Sequence, residues 1–329
     1  MPLATRLLLL LSLFVLPGFA AAAAPASPGS LLLVVHRTDA TVSVYKASNA
    51  ALDLAATLPT GKGPREVAVT PDGARAYISN KDGNSLTVVD LGTLAVVATV
   101  TAPQLQSPEG LAFSLDGKRL YVALSAQNTI LVMSPDTHQV IKEIPTGGKV
   151  PMRILLSHDG RTLFVANDQS YSVSFVDTAT DTVTKTVRTG KQPRGLALTP
   201  DSKTLLVVNV SEDTLSFVDM TTRELAGTVG LGYAPQRIVF APDGQFAYVT
   251  SRASQSVLLV DMRNDRRRCL VKRLPVGAQP NGLAANADGT YLYVANDADN
   301  TISVIDVRLM ETVRAVPTGK YPDGVAFRK

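Results

Sequence analysis

Residues 280–321 read PNGLAANADGTYLYVANDADNTISVIDVRLMETVRAVPTGKY. The stretch opens on Pro280, carries an Asp288-Gly289 pair eight residues later and then the aromatic pair Tyr293-Val294. It continues through a polar loop at 296–300 into an alternating run, 301–306. Working outward, the same order of signals returns along the chain. Prolines before short apolar runs stand at Pro64, Pro108, Pro151, Pro193, Pro235, Pro280 and Pro322, spaced by 44, 43, 42, 42, 45 and 42 residues. Asp-Gly follows at Asp72, Asp116, Asp159, Asp243 and Asp288, with Asp201-Ser202 in the remaining place. The aromatic pair recurs at Tyr77, Tyr121, Phe164, Tyr248 and Tyr293. Three independent markers in phase establish an internal repeat, whose period bounds the architecture before any single element is assigned.

Each unit holds four short strands. Asp-Gly makes the hairpin turn between the first two, because Gly tolerates positive φ and Asp bonds its own backbone. Runs such as 301–306 alternate with period two, and no helical period intervenes. Four strands per 42–45 residues is the blade of a β-propeller. The stretch 31–60 matches strands two to four without a first strand, and 322–327 matches a lone first strand. The expected fold is therefore all-β, a seven-bladed β-propeller with 3+1 closure of the split first blade by the last strand. The central residue of the innermost strand is Ala68, Ala112, Leu155, Ala197, Val239, Ala284 or Ala326, and this preponderance of small residues suits a crowded axis.

The beginning of the chain reads as an address. Arg6 is the only charge in the first 35 residues; an apolar run follows to Leu16, then Pro17-Gly18 and small residues to Ala24. That is the n-region, h-region and cleavage site of a secretory signal peptide. The run is about 10 residues where a membrane span needs about 20. We expect a signal peptide over 1–24, a linker over 25–30 and a single propeller over 31–329. The mature protein is expected to be a monomer with no membrane insertion, in the periplasm or secreted. One cysteine, Cys269, precludes an intramolecular disulfide and, in an oxidising compartment, is expected to be buried or unreactive.

Hydrophobic residues make up 45% and charged residues 18% of the 329, which rules out a disordered chain. Segments such as 248–250, 293–296 and Pro193-Arg194-Gly195-Leu196-Ala197-Leu198-Thr199-Pro200-Asp201 are similar to the YVTN-type β-propeller repeat. Over the whole mature chain the exported single-domain layout resembles the YncE-like periplasmic propellers. The resemblance implies a non-enzymatic binding protein with an ability to bind single-stranded DNA, although one fold hosts many functions.

In such a blade the loops from strand four to the next strand one share a face with the loops between strands two and three. Two positions before the prolines stand Lys62, Lys149, Lys191 and Lys320; one or two after them stand Arg65, Arg153, Arg194 and Arg237. Tyr171, Tyr233 and Tyr321 belong to the same rim, and Glu66 and Asp323 offset part of the charge. One reading is an anion-binding mouth, with cations neutralising phosphates or carboxylates and tyrosines stacking on bases. The other is repeat inheritance, in which Thr-Gly-Lys is an ancestral loop copied with the blade and solvated like any surface charge. Acids in the neighbouring loops (Asp82, Asp168, Glu212, Asp213, Asp297, Asp299) favour the second. A further basic cluster, Arg263, Arg266, Arg267, Arg268, Lys272 and Arg273, falls on the turn and outer strand of blade six; it reads either as a run that binds polyanions or, the favoured reading, as charge that guards an edge against strand addition.

Catalytic parts are sparse. His36, His138 and His158 fall in separate places of the repeat, so no histidine metal cluster is expected, and neither metal nor cofactor. The Asp-Gly aspartates belong to turns on the opposite face. Glu109 and Asp323 are the acids expected at the channel mouth. The expected function is an exported, non-catalytic binding or scaffold protein for an anionic partner: single-stranded DNA, an acidic protein surface or an anionic metabolite. Two alternatives stay open. One is a periplasmic lactonase or lyase acting near His36, Glu109, Asp323 and Arg194; the other is an accessory protein of a periplasmic redox system.

Overall fold

The computed structural model describes residues 29–48, 50–241, 243–263 and 268–328. The proposed signal peptide and most of the linker lie outside the described residues, as do Arg266 and Arg267. Among the described residues every regular element is a β-strand, and the strands form seven four-stranded antiparallel sheets. Six sheets run in chain order from an innermost strand, beginning at Pro64, Pro108, Pro151, Pro193, Pro235 and Pro280, to an outermost one. The seventh is split. Its innermost strand, Pro322–Arg328, pairs with Leu31–His36 in the register Leu31↔Arg328, Leu32↔Phe327, Leu33↔Ala326 and Val34↔Val325. This is the 3+1 closure read from the repeat, and we number this sheet blade one. Closing the ring leaves Leu31–His36, buried along its whole length, without an open edge.

The core is distributed as a ring. Seven clusters of buried apolar residues form, and each joins the facing sides of two adjacent blades. Tyr77, Leu86 and Val88 of blade two meet Leu111, Leu120 and Val122 of blade three in one of them. Leu32, Val34 and Val325 of blade one meet Tyr293, Ile302 and Val304 of blade seven in another. The small residues of the innermost strands now have a cause. Ala68 pairs with Tyr77, Ala112 with Tyr121 and Ala284 with Tyr293, so a small residue near the axis sits across from a large one further out. The wedge shape follows from that alternation.

The Asp-Gly turns behave as the repeat implies. Asp72 accepts from the Thr70 hydroxyl at 2.6 Å and the Ala74 amide at 2.9 Å, while Gly73 takes φ +70. Those hydrogen bonds, led by the one from Thr70, hold the Asp72 carboxyl below its ordinary pKa. Ser202 stands where the other turns have Gly and accepts the same conformation, φ +59.

Two local expectations fail or narrow. Cys269 is exposed, not buried, because it begins the outermost strand of blade six (Cys269–Pro275), one face of which sees solvent. The described members of the second basic cluster are engaged locally: Arg263 pairs with Asp261, Arg268 lies 4.4 Å from the Phe217 ring centroid, and Arg273 lies 4.5 Å from that of Tyr233.

Candidate anion site at the channel mouth

The seven loops that precede the innermost strands are stapled to the loops between strands two and three. Gly63 O accepts from Lys81 N at 3.0 Å, Val150 O from Asp168 N at 2.9 Å, and Tyr321 O from Arg37 N at 3.1 Å. The two loop families therefore share one face, as the repeat required. The residue before each proline has positive φ, including the β-branched Val150 at +55. A β-branched residue adopts that conformation only where its surroundings impose it. Here the amide of Val150 is capped by the Asn128 side chain at 2.8 Å, and that of Ser107 by Asn84 at 2.8 Å. The rim is thereby fixed, and with it the direction in which the next residues project.

At the end of strand two, Asn80, Asn167, Asn209 and Asn296 are fully buried and tie the loop to strand three; Asn80, for example, donates to Ser85 and Thr87 at 3.1 and 3.0 Å. His36 occupies this place in blade one. It is fully buried, with Nδ1 3.1 Å from the Thr41 hydroxyl and Nε2 2.7 Å from that of Thr318. Burial, partly opposed by Asp39, lowers its pKa to about 4. It lines neither channel cavity, so His36 is a structural counterpart of the asparagines and the expectation of it beside a substrate is corrected.

Inward from the rim, two positions after each proline decide the channel. Four blades have glycine there: Gly110, Gly195, Gly282 and Gly324. A Cβ on Gly324 would stand 2.5 Å from Arg65 O, and one on Gly195 2.7 Å from Gln236 O, so neighbouring innermost strands approach as closely as backbone allows. The other three positions hold Glu66, Arg153 and Arg237, from blades two, four and six. Glu66 Oε2 contacts Arg153 Nη1 and lies 3.2 Å from Arg237 Nη1, forming a bridge across the channel.

One residue earlier stand Arg65, Glu109, Met152, Arg194, Gln236, Asn281 and Asp323. Asp323 accepts from Asn281 Nδ2 at 2.9 Å and from Arg65 Nη1 at 3.4 Å. Glu109 is paired with Lys81 Nζ at 2.5 Å; burial raises its pKa, with Lys81 opposing. Arg194 Nε donates to Asp168 at 2.8 Å. Just outside, Asp297 is shared by Arg37 and Arg252, each at 3.1 Å.

Two cavities follow, of about 90 Å³ and 140 Å³, with Arg153, Arg194 and Arg237 common to both. The second rests on an aliphatic collar that includes Leu111, Ile154 and Ile238. Six arginines line the pair against three carboxylates, Glu66, Glu109 and Asp323. Arg37 Nε, Arg65 Nε and Arg237 Nη2 are buried without a hydrogen-bond acceptor, although Arg37 Nε and Arg237 Nη2 lie 3.8 and 3.6 Å from Asp323. Burial pushes the Arg237 pKa down, yet guanidinium remains a cation. Among the described residues no group of three or more His, Cys, Asp or Glu side chains is placed to hold a metal ion.

The structure thus divides the rim candidates. Arg65, Arg153, Arg194 and Arg237 meet at the channel, whereas Lys62, Lys149, Lys191 and Lys320 are exposed on the outer loops. Tyr171, Tyr233 and Tyr321 are also exposed, the last two packed beside Arg273 and Arg37. The sequence reading missed Arg37, Lys81 and Arg252. A signal was there: each immediately follows the last residue of strand two, the position held by Asp168 and Asp297 in blades four and seven.

Comparison with known proteins bears on the fold. Residues 152–286 match the family model of the YNCE-like beta-propeller, the group to which the repeat is similar, and residues 32–189 match that of the 7-bladed beta-propeller lactonases. No curated protein matches the chain. Among solved structures, Kuenenia stuttgartiensis hydrazine synthase is 24% identical over 81% of this chain and 90% of that one, with TM-score 0.71. The periplasmic gluconolactonase PpgL of Pseudomonas aeruginosa is 18% identical over 91% and 99%, with TM-score 0.77. A Lactobacillus plantarum protein is 16% identical over 92% and 99%, with TM-score 0.79. At these identities the likeness is one of fold.

Proposed function

We propose that this chain is an exported binding protein, periplasmic or secreted, that captures a small anionic ligand in the arginine-lined channel mouth. The observation that carries the reading is the set of buried guanidinium N–H groups without acceptors at Arg37, Arg65 and Arg237. A buried donor left unmade is costly, and an incoming carboxylate or phosphate oxygen relieves it with a charge-assisted bond. The mouth has the size of a carboxylate or phosphate group rather than of a strand of nucleic acid. Single-stranded DNA and acidic proteins fall to the exposed lysines and tyrosines of the outer rim.

Calorimetric titration with inorganic phosphate across a salt series tests this. Binding is expected at low ionic strength, weakening as salt screens the site. Arg153→Ala and Arg194→Ala should each cost about tenfold in affinity or more. Replacing Lys62, Lys149, Lys191 and Lys320 together by Ala should cost only about twofold, as for exposed charges. No phosphate binding at low salt, or an equal loss in the lysine variant, overturns the reading. Labelled single-stranded DNA run beside phosphate reports on the outer rim.

A second reading is supported by the lactonase family match over 32–189. A lactone seated in the mouth would be opened by water: water adds to the ring carbonyl, the ring C–O bond breaks, and a hydroxy-carboxylate and a proton leave. Glu109, a buried acid with raised pKa, is the base this chain offers. A panel of aldonolactones assayed with and without Ca²⁺ decides it: turnover abolished by Glu109→Gln supports it, and no turnover ends it.

A further inference from the structure

Among the three acids lining the cavities, Glu66 differs from the others in how it is held. Asp323 is tied to its neighbours Asn281 and Arg65, with Arg37 and Arg237 at 3.8 and 3.6 Å, and Glu109 is tied to Lys81; their side chains are 5% and 3% exposed. Glu66 is 18% exposed, and among the described residues its carboxylate engages Arg153 and Arg237, from the non-adjacent blades four and six. Its own blade does not require it. Four of the seven blades have glycine at this register position, Gly324 and Gly110 in the two blades beside it among them. No neighbouring side chain at that level therefore blocks the Glu66 side chain from turning aside.

We infer that Glu66 is a resident stand-in for the ligand: a small carboxylate displaces it from Arg153 and Arg237, and ligands of this class are what the site selects. The inference rests on the anion-binding reading of the mouth and names its ligand. Two guanidinium groups that already share a carboxylate oxygen of Glu66 present planar N–H donors, which favour carboxylate over a point charge. Both carboxylates cannot occupy it, since like charges at contact repel. The ligand's affinity is therefore reduced by whatever Glu66 gains from the same partners, and removing Glu66 returns that free energy to the ligand.

The test compares Glu66→Gln and Glu66→Gly with Asp323→Asn, titrating each folded protein with succinate and with inorganic phosphate. Glu66→Gly reproduces the residue of four other blades, so it keeps the test available if the Gln variant does not fold. Loss of one negative charge raises the potential of the mouth in all three variants, so a field effect alone predicts equal gains. Displacement predicts a gain of about tenfold or more for succinate in both Glu66 variants. It predicts less than about threefold in Asp323→Asn, in which Glu66 still holds Arg153 and Arg237. Equal gains, or none at Glu66, overturn the inference while wild-type binding of phosphate leaves the anion site standing. No binding of either probe by any variant sinks both.

Discussion

Deleting residues 322–329 removes the innermost strand of blade one, Pro322–Arg328, and with it Asp323 of the channel mouth. The lost contacts are specific. Val325 packs in the cluster joining blades seven and one, and the Phe327 ring stacks on Tyr293 with centroids 5.8 Å apart and planes 5° from parallel. The ladder to Leu31–Val34 goes as well. Burial of an apolar side chain contributes about 1.5–3 kcal/mol, and each ladder hydrogen bond about 0.5–1.5 kcal/mol net. The total is on the order of 5–10 kcal/mol, comparable with the whole stability of an ordinary domain at about 5–15 kcal/mol. The deletion also bares Leu31–His36, a fully buried apolar edge that templates strand addition. Urea unfolding followed by far-ultraviolet circular dichroism, with size-exclusion chromatography, should find the truncated chain unfolded or associated. Phe327→Ala provides the graded step: its ring is half-buried, so about 2 kcal/mol is expected, below the 3–5 typical of a fully buried Phe. A truncated monomer with an unchanged urea midpoint would refute closure of the ring by this strand.

Three further outcomes are expected. His36 is held neutral by burial with a pKa near 4, so its unfolded form takes up a proton first as pH falls below 6.5; stability present above that value is lost between pH 6.5 and 4, by at most about 3 kcal/mol. His36→Asn, matching Asn80 and Asn296, should flatten that part of a pH series of urea midpoints, and parallel curves would count against the assignment. Gly324→Ala pushes a Cβ to within 2.5 Å of Arg65 O and should lower stability by about 1–3 kcal/mol, read as a fall in melting temperature; an unchanged melt would contradict the close approach at the axis. Cys269, exposed on the outer edge of blade six, should react with a maleimide in the native protein, and labelling only after denaturation would show that it is covered.

The number of blades, the split closure and the identity of the loop face were legible in the chain itself. They follow from periodic markers, Pro64 to Pro322 and Asp72 to Asp288, whose backbone requirements are local and repeat whatever the neighbours are. The same register placed Arg65, Arg153, Arg194 and Arg237 on the rim and Glu109 and Asp323 at the mouth. What the register does not contain is distance across the axis. Glu66, Arg153 and Arg237 are far apart in sequence and belong to non-adjacent blades, and they meet only because seven wedges close into a ring. Arg37, Lys81 and Arg252 follow strand two, so their role rests on which blade they face, a property of the ring and not of the repeat. The exposure of Cys269 was likewise a matter of which side of an outer strand meets water. Local turn chemistry and strand period determined the fold; the electrostatics of the site arose where the wedges converge.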